Sequence, residues 1–234
     1  MTRILFITGT DTGVGKTVLT ALLAQSLRAR GLRVAALKPI SSGDRADARA
    51  LHYALDGELT LDEINPWHFR AALAPPLSAR RERRVVRKSQ VVAHVRRIAA
   101  RFPVVLVEGA GGLLSPLGEK FDSRDLIAAL RAAPLVVAPN RLGAVNQVRL
   151  VLAALPPAAA RRAQVVLMNP RHPDSATPDN AALLAGFAKP DRIHFFPWLP
   201  PKALEGSRPL HAAARRVLER IVKQWMKTAG AAGS

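Results

Sequence analysis

Residues 4–17, ILFITGTDTGVGKT, join an apolar run, a glycine-rich turn and a Lys-Thr pair that opens a helical pattern. The apolar residues at 4–7 predict a buried strand, and leucines spaced as on one face of a helix follow the turn. A glycine-rich turn between a strand and a helix can point backbone N–H groups at a polyphosphate. The stretch therefore predicts a nucleotide-binding α/β fold.

The turn also supplies the side chains that contact nucleotide phosphates. Gly9, Gly13 and Gly15 give the backbone the freedom that such a turn requires. Lys16 can reach the β and γ phosphates, and the Thr17 hydroxyl can ligate Mg²⁺. The spacing departs from the GxxxxGK[ST] template, because the earlier glycine lies one position further back. The alternative is an incidental glycine turn, but the flanking strand and helix favour a phosphate loop.

Six apolar runs separated by segments of helical periodicity predict the rest of the fold. Strands are expected at 3–8, 33–37, 104–107, 135–138, 164–168 and 193–196. Helices are expected at 16–30, 44–56, 88–101, 123–132, 144–155, 177–187 and 209–227. This alternation predicts a doubly wound, mostly parallel α/β sheet of the P-loop NTPase type with helices on both faces.

Length and composition indicate one cytoplasmic domain. The 234 residues carry evenly spread apolar segments, which predicts a single domain at 1–228 and a disordered tail at 229–234. The absence of cysteine excludes disulfides, thiolate metal sites and cysteine nucleophiles. We expect no signal peptide and no membrane partner, because the chain enters a strand at once and no apolar run reaches spanning length. A proline-containing stretch at 59–79 interrupts the alternation, and we expect it to shape a pocket.

The net charge of +18 is unevenly distributed along the chain. Residues 1–79 hold 9 basic and 7 acidic residues, so the excess lies beyond them. The segment RRERRVVRK at 80–88 carries six positive charges and one negative charge, which could attract nucleic acid or an anionic ligand. It has no interleaved aromatics, and no nucleic-acid-binding motif accompanies it. A solvated basic face is the favoured interpretation, so we expect no nucleic-acid partner.

Polar segments follow several predicted strands, at the edge where open parallel sheets place their sites. Lys38 could offset charge in an anionic reaction, although taken alone it would be interpreted as a strand-end lysine that reaches solvent. Glu108 ends the apolar run VVLVE, where a carboxylate needs a cation partner, and with Thr17 it could hold Mg²⁺. Asp47 could complete the metal's oxygen shell or could be a helix N-terminal carboxylate favoured by the dipole. Glycines beyond Glu108 leave room for a ligand: Gly109, Gly111 and Gly112.

Three glycine-bearing motifs occur in register and together resemble one enzyme family. GTDTGVGKT at 9–17, KPISSG at 38–43 and VEGAGG at 107–112, followed by SPLG, closely resemble the dethiobiotin synthase family. The likeness extends to NPWHF at 65–69, RLGAVNQ at 141–147 and PWL at 197–199. The resemblance implies a homodimeric enzyme that uses ATP and Mg²⁺ to close 7,8-diaminononanoate and CO₂ into dethiobiotin, in biotin biosynthesis.

The resemblance also implies a role for each matching residue. It implies that the loop residues and Asn169, which would contact the adenine edge, bind the nucleotide: Asp11, Thr12, Gly13, Val14, Gly15, Lys16, Thr17, Val18 and Asn169. It implies that the catalytic residues are Lys16, Lys38 and Thr12. It also implies that the metal ligands are Thr17, Asp47 and Glu108. It implies that the diamine substrate is bound by Ser42, Gly111 and Gly112. The 142–146 turn of a partner subunit would also contact this substrate, through Leu142, Gly143 and Asn146.

Some positions depart from the family's pattern, and other protein classes share parts of it. Arg141 stands where the family has lysine, Pro170 follows Asn169 in place of an acidic residue, and the 75–78 segment lacks a histidine. A ParA/MinD-like ATPase acting on nucleic acid or membrane is the main alternative. Asp11 argues against it, because that class places its signature lysine there. Amidating synthetases of cobalamin biosynthesis are a further alternative, but they need a cysteine nucleophile, which this chain lacks. A DNA-binding protein without catalytic activity is supported by the positive charge alone.

Overall fold

Parallel strands form the centre of the molecule, and the computed structural model describes residues 2–200 and 211–230. The strands in this part of the chain are β1 (Arg3–Gly9), β2 (Val34–Leu37), β3 (Ile40–Ser42), β4 (Trp67–Phe69), β5 (Val104–Glu108), β6 (Pro116–Gly118), β7 (Phe121–Asp122), β8 (Ala133–Pro139), β9 (Gln164–Met168) and β10 (Ile193–Phe196). Six of them form one sheet in the order β10-β9-β8-β1-β5-β2, and all neighbours are parallel. These six are the six strands predicted from the apolar runs, so that prediction is confirmed.

Helices connect the strands of this sheet. They are α1 (Lys16–Arg28), α2 (Ala46–Ala54), α3 (Leu61–Ile64), α4 (Pro75–Arg81), α5 (Lys88–Ala99), α6 (Ser123–Leu130), α7 (Ala144–Ala154), α8 (Pro157–Ala160), α9 (Asn180–Ala185) and α10 (Ala212–Gly230). The seven predicted helices correspond to α1, α2, α5, α6, α7, α9 and α10, most of them shorter by a few residues than the periodicity suggested. Residues 209 and 210 of the last prediction lie outside the described residues.

The strand order makes the sheet doubly wound. From β1 the chain reaches β2 at one edge and returns to β5, and from β8 onward it winds toward the other edge. Because parallel crossovers are right-handed, this reversal of direction puts helices on both faces. Accordingly α1 contacts α10, whereas α5 contacts α6. The predicted fold class is confirmed.

The sheet register sets the position of the site. β1 lies between β5 and β8, and Ile7 pairs with Glu108 while Gly9 pairs with Val137. The carboxyl end of β1 and the carboxylate that ends β5 therefore lie side by side. The winding of the sheet changes direction at β1, and ligand sites in such sheets usually lie at the carboxyl ends of the strands beside this point.

The 59–79 stretch contains short elements that the sequence pattern did not indicate. Thr60 caps α3 through a capping box with Glu63, β4 pairs in parallel with β3, and α4 follows. These elements place residues 72–75 beside a cavity at the carboxyl ends of β1, β2 and β5. The hairpin of β6 and β7 and the helix α8 were also not predicted.

Apolar side chains from the sheet and its helices form one buried cluster, from Leu5 to Trp225. The domain limits 1–228 stay a prediction, and they include residues 201–210, which lie outside the described residues. Helix α10 continues to Gly230, and 231–234 of the expected tail are likewise outside. None of the helices in the described ranges combines the length and hydropathy needed to cross a membrane.

Candidate active site

A cavity of about 780 Å³ opens at the carboxyl ends of β1, β2 and β5. The phosphate loop, the segment after β2, the 72–75 segment and the loop after β5 surround it. Eleven of the residues predicted for the site line this cavity: Thr12, Gly13, Gly15, Lys16, Thr17, Val18, Lys38, Ser42, Asp47, Glu108 and Gly111. Residues up to 99 positions apart in sequence thus meet in one space.

Two glycines allow the compact backbone conformation of the glycine-rich turn. Gly15 adopts φ 96° immediately before α1, a left-handed conformation that favours glycine. A β-carbon at Gly9 would lie 2.8 Å from Val14 Cγ2, so glycine there lets the turn fold back against the strand. Among the residues that the structure describes, no side chain caps the N-terminus of α1, so its first amides are available to an anion.

Lys16 is a buried cation within this turn. Its ammonium donates to the Asp11 carbonyl oxygen at 2.7 Å, across the loop. Burial, together with the positive charge of Lys38, lowers the pKa of Lys16 to about 8. Within the described part of the chain this carbonyl is the one hydrogen-bond partner of the ammonium, so its other N–H groups can meet phosphate oxygens in the cavity.

Lys38 and two carboxylates form a buried ionic cluster beside the loop. Lys38 Nζ lies 2.6 Å from Asp47 Oδ2 and 2.6 Å from Glu108 Oε1, and Thr17 Oγ1 donates to the same Glu108 oxygen at 2.8 Å. Burial opposes the charge on Lys38, but Glu108 and Asp47 outweigh it and raise the pKa of Lys38. Burial likewise opposes the charge on Asp47, and Lys38 outweighs it and lowers the pKa of Asp47. Lys38 and Asp47 therefore stabilise each other's charged forms.

This cluster fits a hard cation such as Mg²⁺. Glu108 Oε2 is buried and has no hydrogen-bond partner among the described residues, which marks it as a free ligand position. Across the same ranges no group of three or more His, Cys, Asp and Glu side chains comes together. A set of two carboxylates and one hydroxyl suits Mg²⁺, which keeps several waters and shares phosphate oxygens. Asp47 is also in the first turn of α2, as its interpretation as a helix N-terminal carboxylate expects, and its role as a metal ligand stays a prediction.

The loop after β5 packs directly against the phosphate loop. A β-carbon at Gly112 would lie 3.2 Å from the Thr10 carbonyl oxygen, and Gly111 adopts φ 69°. The Gly112 N–H donates to Ser115 Oγ at 2.9 Å, which holds the loop in this shape. Ser42 Oγ donates to the Leu73 carbonyl oxygen. The loop after β5 and the 72–75 segment thus both contribute to the cavity lining.

Several predicted site residues lie outside this cavity. Asp11 is exposed and accepts a hydrogen bond from the Thr12 N–H at 2.6 Å, and Val14 is buried beneath the loop. Asn169 follows β9 at the same edge of the sheet, where its Oδ1 accepts from Asn140. The residues predicted to act in a partner's site are exposed and away from the cavity of their own chain: Leu142, Gly143 and Asn146.

Some contributors to the site were not predicted. Asn65 is buried, and its amide donates to the Lys38 carbonyl oxygen at 2.6 Å and accepts from Ser41 Oγ at 2.9 Å. Asp44 and Ser115 also line the cavity. Asn65 and Ser115 lie in the quoted segments NPWHF and SPLG, but nothing in their spacing indicated a contact with Lys38 or Gly112.

Solved structures share this fold at low sequence identity. The Aquifex aeolicus MinC:MinD cell division protein complex gives a TM-score of 0.61 at 16% identity, covering 96% of each chain. A structure of pNOB8 ParA bound to nonspecific DNA gives 0.57 at 13% identity, covering 99% of each chain. These likenesses concern the fold alone.

Sequence comparisons are more specific. The model of a family described as an AAA domain matches residues 3–203. The ATP-dependent dethiobiotin synthetase BioD of Anaeromyxobacter dehalogenans (strain 2CP-C) is 43% identical over 204 residues, covering 85% of this chain and 91% of the relative. The protein of the same name from Anaeromyxobacter sp. (strain Fw109-5) is 49% identical over 157 residues, covering 65% and 70%. With 43% identity over most of both chains, the chain belongs to the ATP-dependent dethiobiotin synthetase family.

Proposed function

We propose that this protein is an ATP-dependent dethiobiotin synthetase of biotin biosynthesis, which joins 7,8-diaminononanoate and CO₂ into a cyclic urea. The observation that carries the proposal is the meeting of Lys16, Lys38 and Glu108 at one cavity, in a chain 43% identical to a protein of that name. Phosphoryl transfer depends on positioning and charge neutralisation more than on a strong base. The cavity offers these two contributions.

The reaction proceeds in three balanced steps. One amine nitrogen of the substrate adds to CO₂ and loses a proton, which gives a carbamate. A carbamate oxygen then attacks the γ-phosphorus of ATP and displaces ADP, which gives a carbamic-phosphoric anhydride. The second amine attacks the carbonyl carbon, and phosphate leaves with the proton of that amine.

Three side chains of the cavity are proposed to act on the reacting groups. Lys16 neutralises charge at the β and γ phosphates, because its ammonium lies inside the loop. Lys38 and Thr12, which both line the cavity, would face the carbamate and the transferred phosphoryl group. Lys38 keeps its charge throughout, since its carboxylate partners raise its pKa.

Mg²⁺ is proposed to be held by Thr17, Asp47 and Glu108. Thr17 Oγ1 contacts Glu108 Oε1, and both carboxylates contact the Lys38 ammonium. When bound, the ion would neutralise charge on the phosphate oxygens. Replacing Glu108 with Gln removes one anionic ligand and should raise the Mg²⁺ concentration needed for half-maximal turnover by about tenfold. An unchanged Mg²⁺ titration would exclude Glu108 from the metal site.

The remaining contacts are proposed for the two substrates. The loop residues 11–18 would surround the ATP phosphates, and Asn169 would contact the adenine edge. Ser42, Gly111 and Gly112 would line the diamine position, because Ser42 and Gly111 line the same cavity and Gly112 follows directly. Glycine at these positions lets a ligand approach the backbone.

A homodimer is proposed to complete the substrate site. Four large apolar side chains on α7, α9 and the adjoining turns are exposed: Leu142, Leu150, Leu183 and Phe187. Such a patch is typical of an interface, and the partner's 142–146 turn would then receive the carboxylate end of the diamine. Replacing Leu150 with Arg should shift sedimentation from dimer to monomer. A monomeric native protein would contradict the proposal.

We further propose a cytoplasmic enzyme without a nucleic-acid partner. Two arginines of the 80–88 segment already have protein partners: Arg84 packs over the Phe69 ring at 4.7 Å, and Arg80 pairs with Glu119 at 3.4 Å. The ParA/MinD-like alternative shares only the fold. Binding to duplex DNA that persists in moderate salt would revive it.

The proposed reaction can be tested directly with purified protein. We expect dethiobiotin, detected by mass spectrometry, when 7,8-diaminononanoate, bicarbonate, ATP and Mg²⁺ are all present. Omitting the diamine should abolish ADP formation. ATP turnover that does not depend on the diamine, without dethiobiotin, would reject the synthetase assignment.

A further inference from the structure

Two asparagines stand side by side where β8 and β9 end. Pro139 of β8 pairs with Met168 of β9, and the Asn140 N–H donates to the Met168 carbonyl oxygen at 2.8 Å. Asn140 and Asn169 therefore begin the two loops at the same level of the sheet. Their side chains are joined by a hydrogen bond of 2.9 Å between Asn140 Nδ2 and Asn169 Oδ1.

Backbone carbonyls fix the orientation of the amides in this chain of hydrogen bonds. Asn140 Nδ2 also contacts the Thr177 carbonyl oxygen at 3.1 Å, and a carbonyl oxygen only accepts. Asn180 Nδ2 contacts the Arg141 carbonyl oxygen at 3.0 Å and donates to Asn140 Oδ1 at 2.8 Å. If the side-chain amide of Asn140 or Asn180 were rotated by 180°, its oxygen would face a carbonyl oxygen, and both atoms are acceptors.

The two supporting amides are inaccessible to water, which strengthens this constraint. Asn140 is 1% exposed and Asn180 is 3% exposed, whereas Asn169 is half-buried. Buried polar groups left unpaired are costly, so a reversed amide in this chain is strongly disfavoured. Asn169 must therefore keep its oxygen toward Asn140 and present its NH₂ group on the other side.

The position of Asn169 relates this orientation to the nucleotide. Its neighbour Met168 reaches the phosphate loop, because a β-carbon at Gly15 would lie 3.0 Å from Met168 Cε. A nucleotide whose phosphates occupy that loop therefore has the end of β9 within reach of its base. The hydrogen-bonding edge of adenine carries an N6 donor next to the N7 acceptor, and an asparagine amide matches both in one orientation.

We propose that Asn140, supported by Asn180, is a positioning residue that fixes the Asn169 amide with its NH₂ group toward N7 of the adenine ring. The second lone pair of Asn169 Oδ1 then accepts from N6. Guanine presents two acceptors at this edge and leaves one of these contacts unpaired. This inference rests on the proposed function insofar as ATP is the substrate, and it adds how the base is selected.

Calorimetric binding of ADP and 7-deaza-ADP, which lacks the N7 acceptor, tests the proposal without requiring turnover. The native protein should bind 7-deaza-ADP roughly tenfold more weakly than ADP. Asn169→Ala should bind both nucleotides equally. Asn140→Asp should also lose the difference, because a carboxylate accepts only and turns the Asn169 NH₂ group inward. In turnover assays Asn140→Asp should raise the KM for ATP with kcat nearly unchanged.

Controls separate positioning from a general loss of structure. Asn140→Ala removes the donor without adding charge and should lessen the ADP preference even if Asn140→Asp fails to fold. Gln164→Glu is the matched control, since Gln164 is an equally buried amide of β9 that contacts His194 instead. It should keep the native preference.

Each outcome decides the inference separately from the reaction. A folded Asn140 variant with the native preference would overturn the positioning role, and Asn169→Ala with the native preference would overturn the base contact. Failure of the native protein to form dethiobiotin would overturn the proposed function alone, because nucleotide binding is measured independently.

Discussion

Lys38 Nζ lies 2.6 Å from Glu108 Oε1, so a lysine ammonium stands among the oxygens proposed to hold Mg²⁺. The same nitrogen lies 2.6 Å from Asp47 Oδ2. The lysine thus acts as an internal counterion for two carboxylates that would otherwise repel each other at the cavity floor. In the proposed metal site, Lys38 would compete with Mg²⁺ for these two carboxylates.

Replacing Lys38 with Met should increase metal affinity in the nucleotide-free protein while abolishing turnover. The variant removes the competing positive charge but keeps most of the side-chain volume, so the two carboxylates become available. We expect Mn²⁺, measured by electron paramagnetic resonance, to bind at least about tenfold more tightly than in the native protein. The exposed Lys88 provides the control, because Lys88→Met should leave Mn²⁺ binding unchanged. Equal Mn²⁺ affinity in native and Lys38→Met protein would show that Lys38 does not compete.

Replacing Lys16 with Ala should lower kcat by at least about 100-fold, since the ammonium that meets the phosphates is lost. The protein should still fold, because the only hydrogen bond that Lys16 makes through its ammonium among the described residues is to the Asp11 carbonyl oxygen. Steady-state ADP release and thermal unfolding measure the two effects. A folded variant with a near-native rate would mean that the loop does not bind the transferred phosphate.

Replacing Gly9 with Ala should weaken nucleotide binding without altering the sheet. The added methyl group would lie 2.8 Å from Val14 Cγ2 and 3.3 Å from Lys16 Cδ, which forces the loop outward. Overpacking of this kind costs roughly 1–3 kcal/mol, so we expect the Kd for ADP to rise by about tenfold. Gly186→Ala is the matched control, because the nearest atom to its β-carbon lies 3.5 Å away. Native-like ADP binding by Gly9→Ala would contradict the tight packing of the loop.

Acidification should destabilise the protein through His194. Burial, with the positive charge of Arg220 nearby, lowers the pKa of His194 from 6.5 to about 4. Between these two pH values the unfolded chain binds more protons than the folded one. The contribution is therefore fully present above pH 6.5 and is lost as pH falls through 4, at a cost of roughly 3 kcal/mol in the free energy of unfolding.

Urea denaturation at pH 7 and pH 4.5 measures this effect. The native protein should lose more stability between the two pH values than His194→Gln, which keeps a donor for Gln164 Oε1 but does not titrate. Equal losses in the two proteins would show that His194 is not the responsible group.

Local sequence patterns determined the central features of this protein. A strand, a glycine-rich turn and a helix follow one another within residues 4–17, and six apolar runs identify the strands of the main sheet. Periodicity and glycine spacing act over a few residues, so they can be recognised without knowledge of the rest of the chain. The motifs that follow the strands also identified most residues of the cavity.

Only the tertiary structure decided which of these residues meet. Lys38 and Glu108 are 70 positions apart, and they touch because β2 and β5 are neighbours in the sheet. Strand order depends on packing of the whole chain, which no local pattern contains. The same holds for Asn169, whose amide orientation is fixed by Asn140 and Asn180 from other loops. The sequence alone thus determined the elements and the chemical groups, whereas contacts across the sheet and between loops decided their partners, charges and orientation.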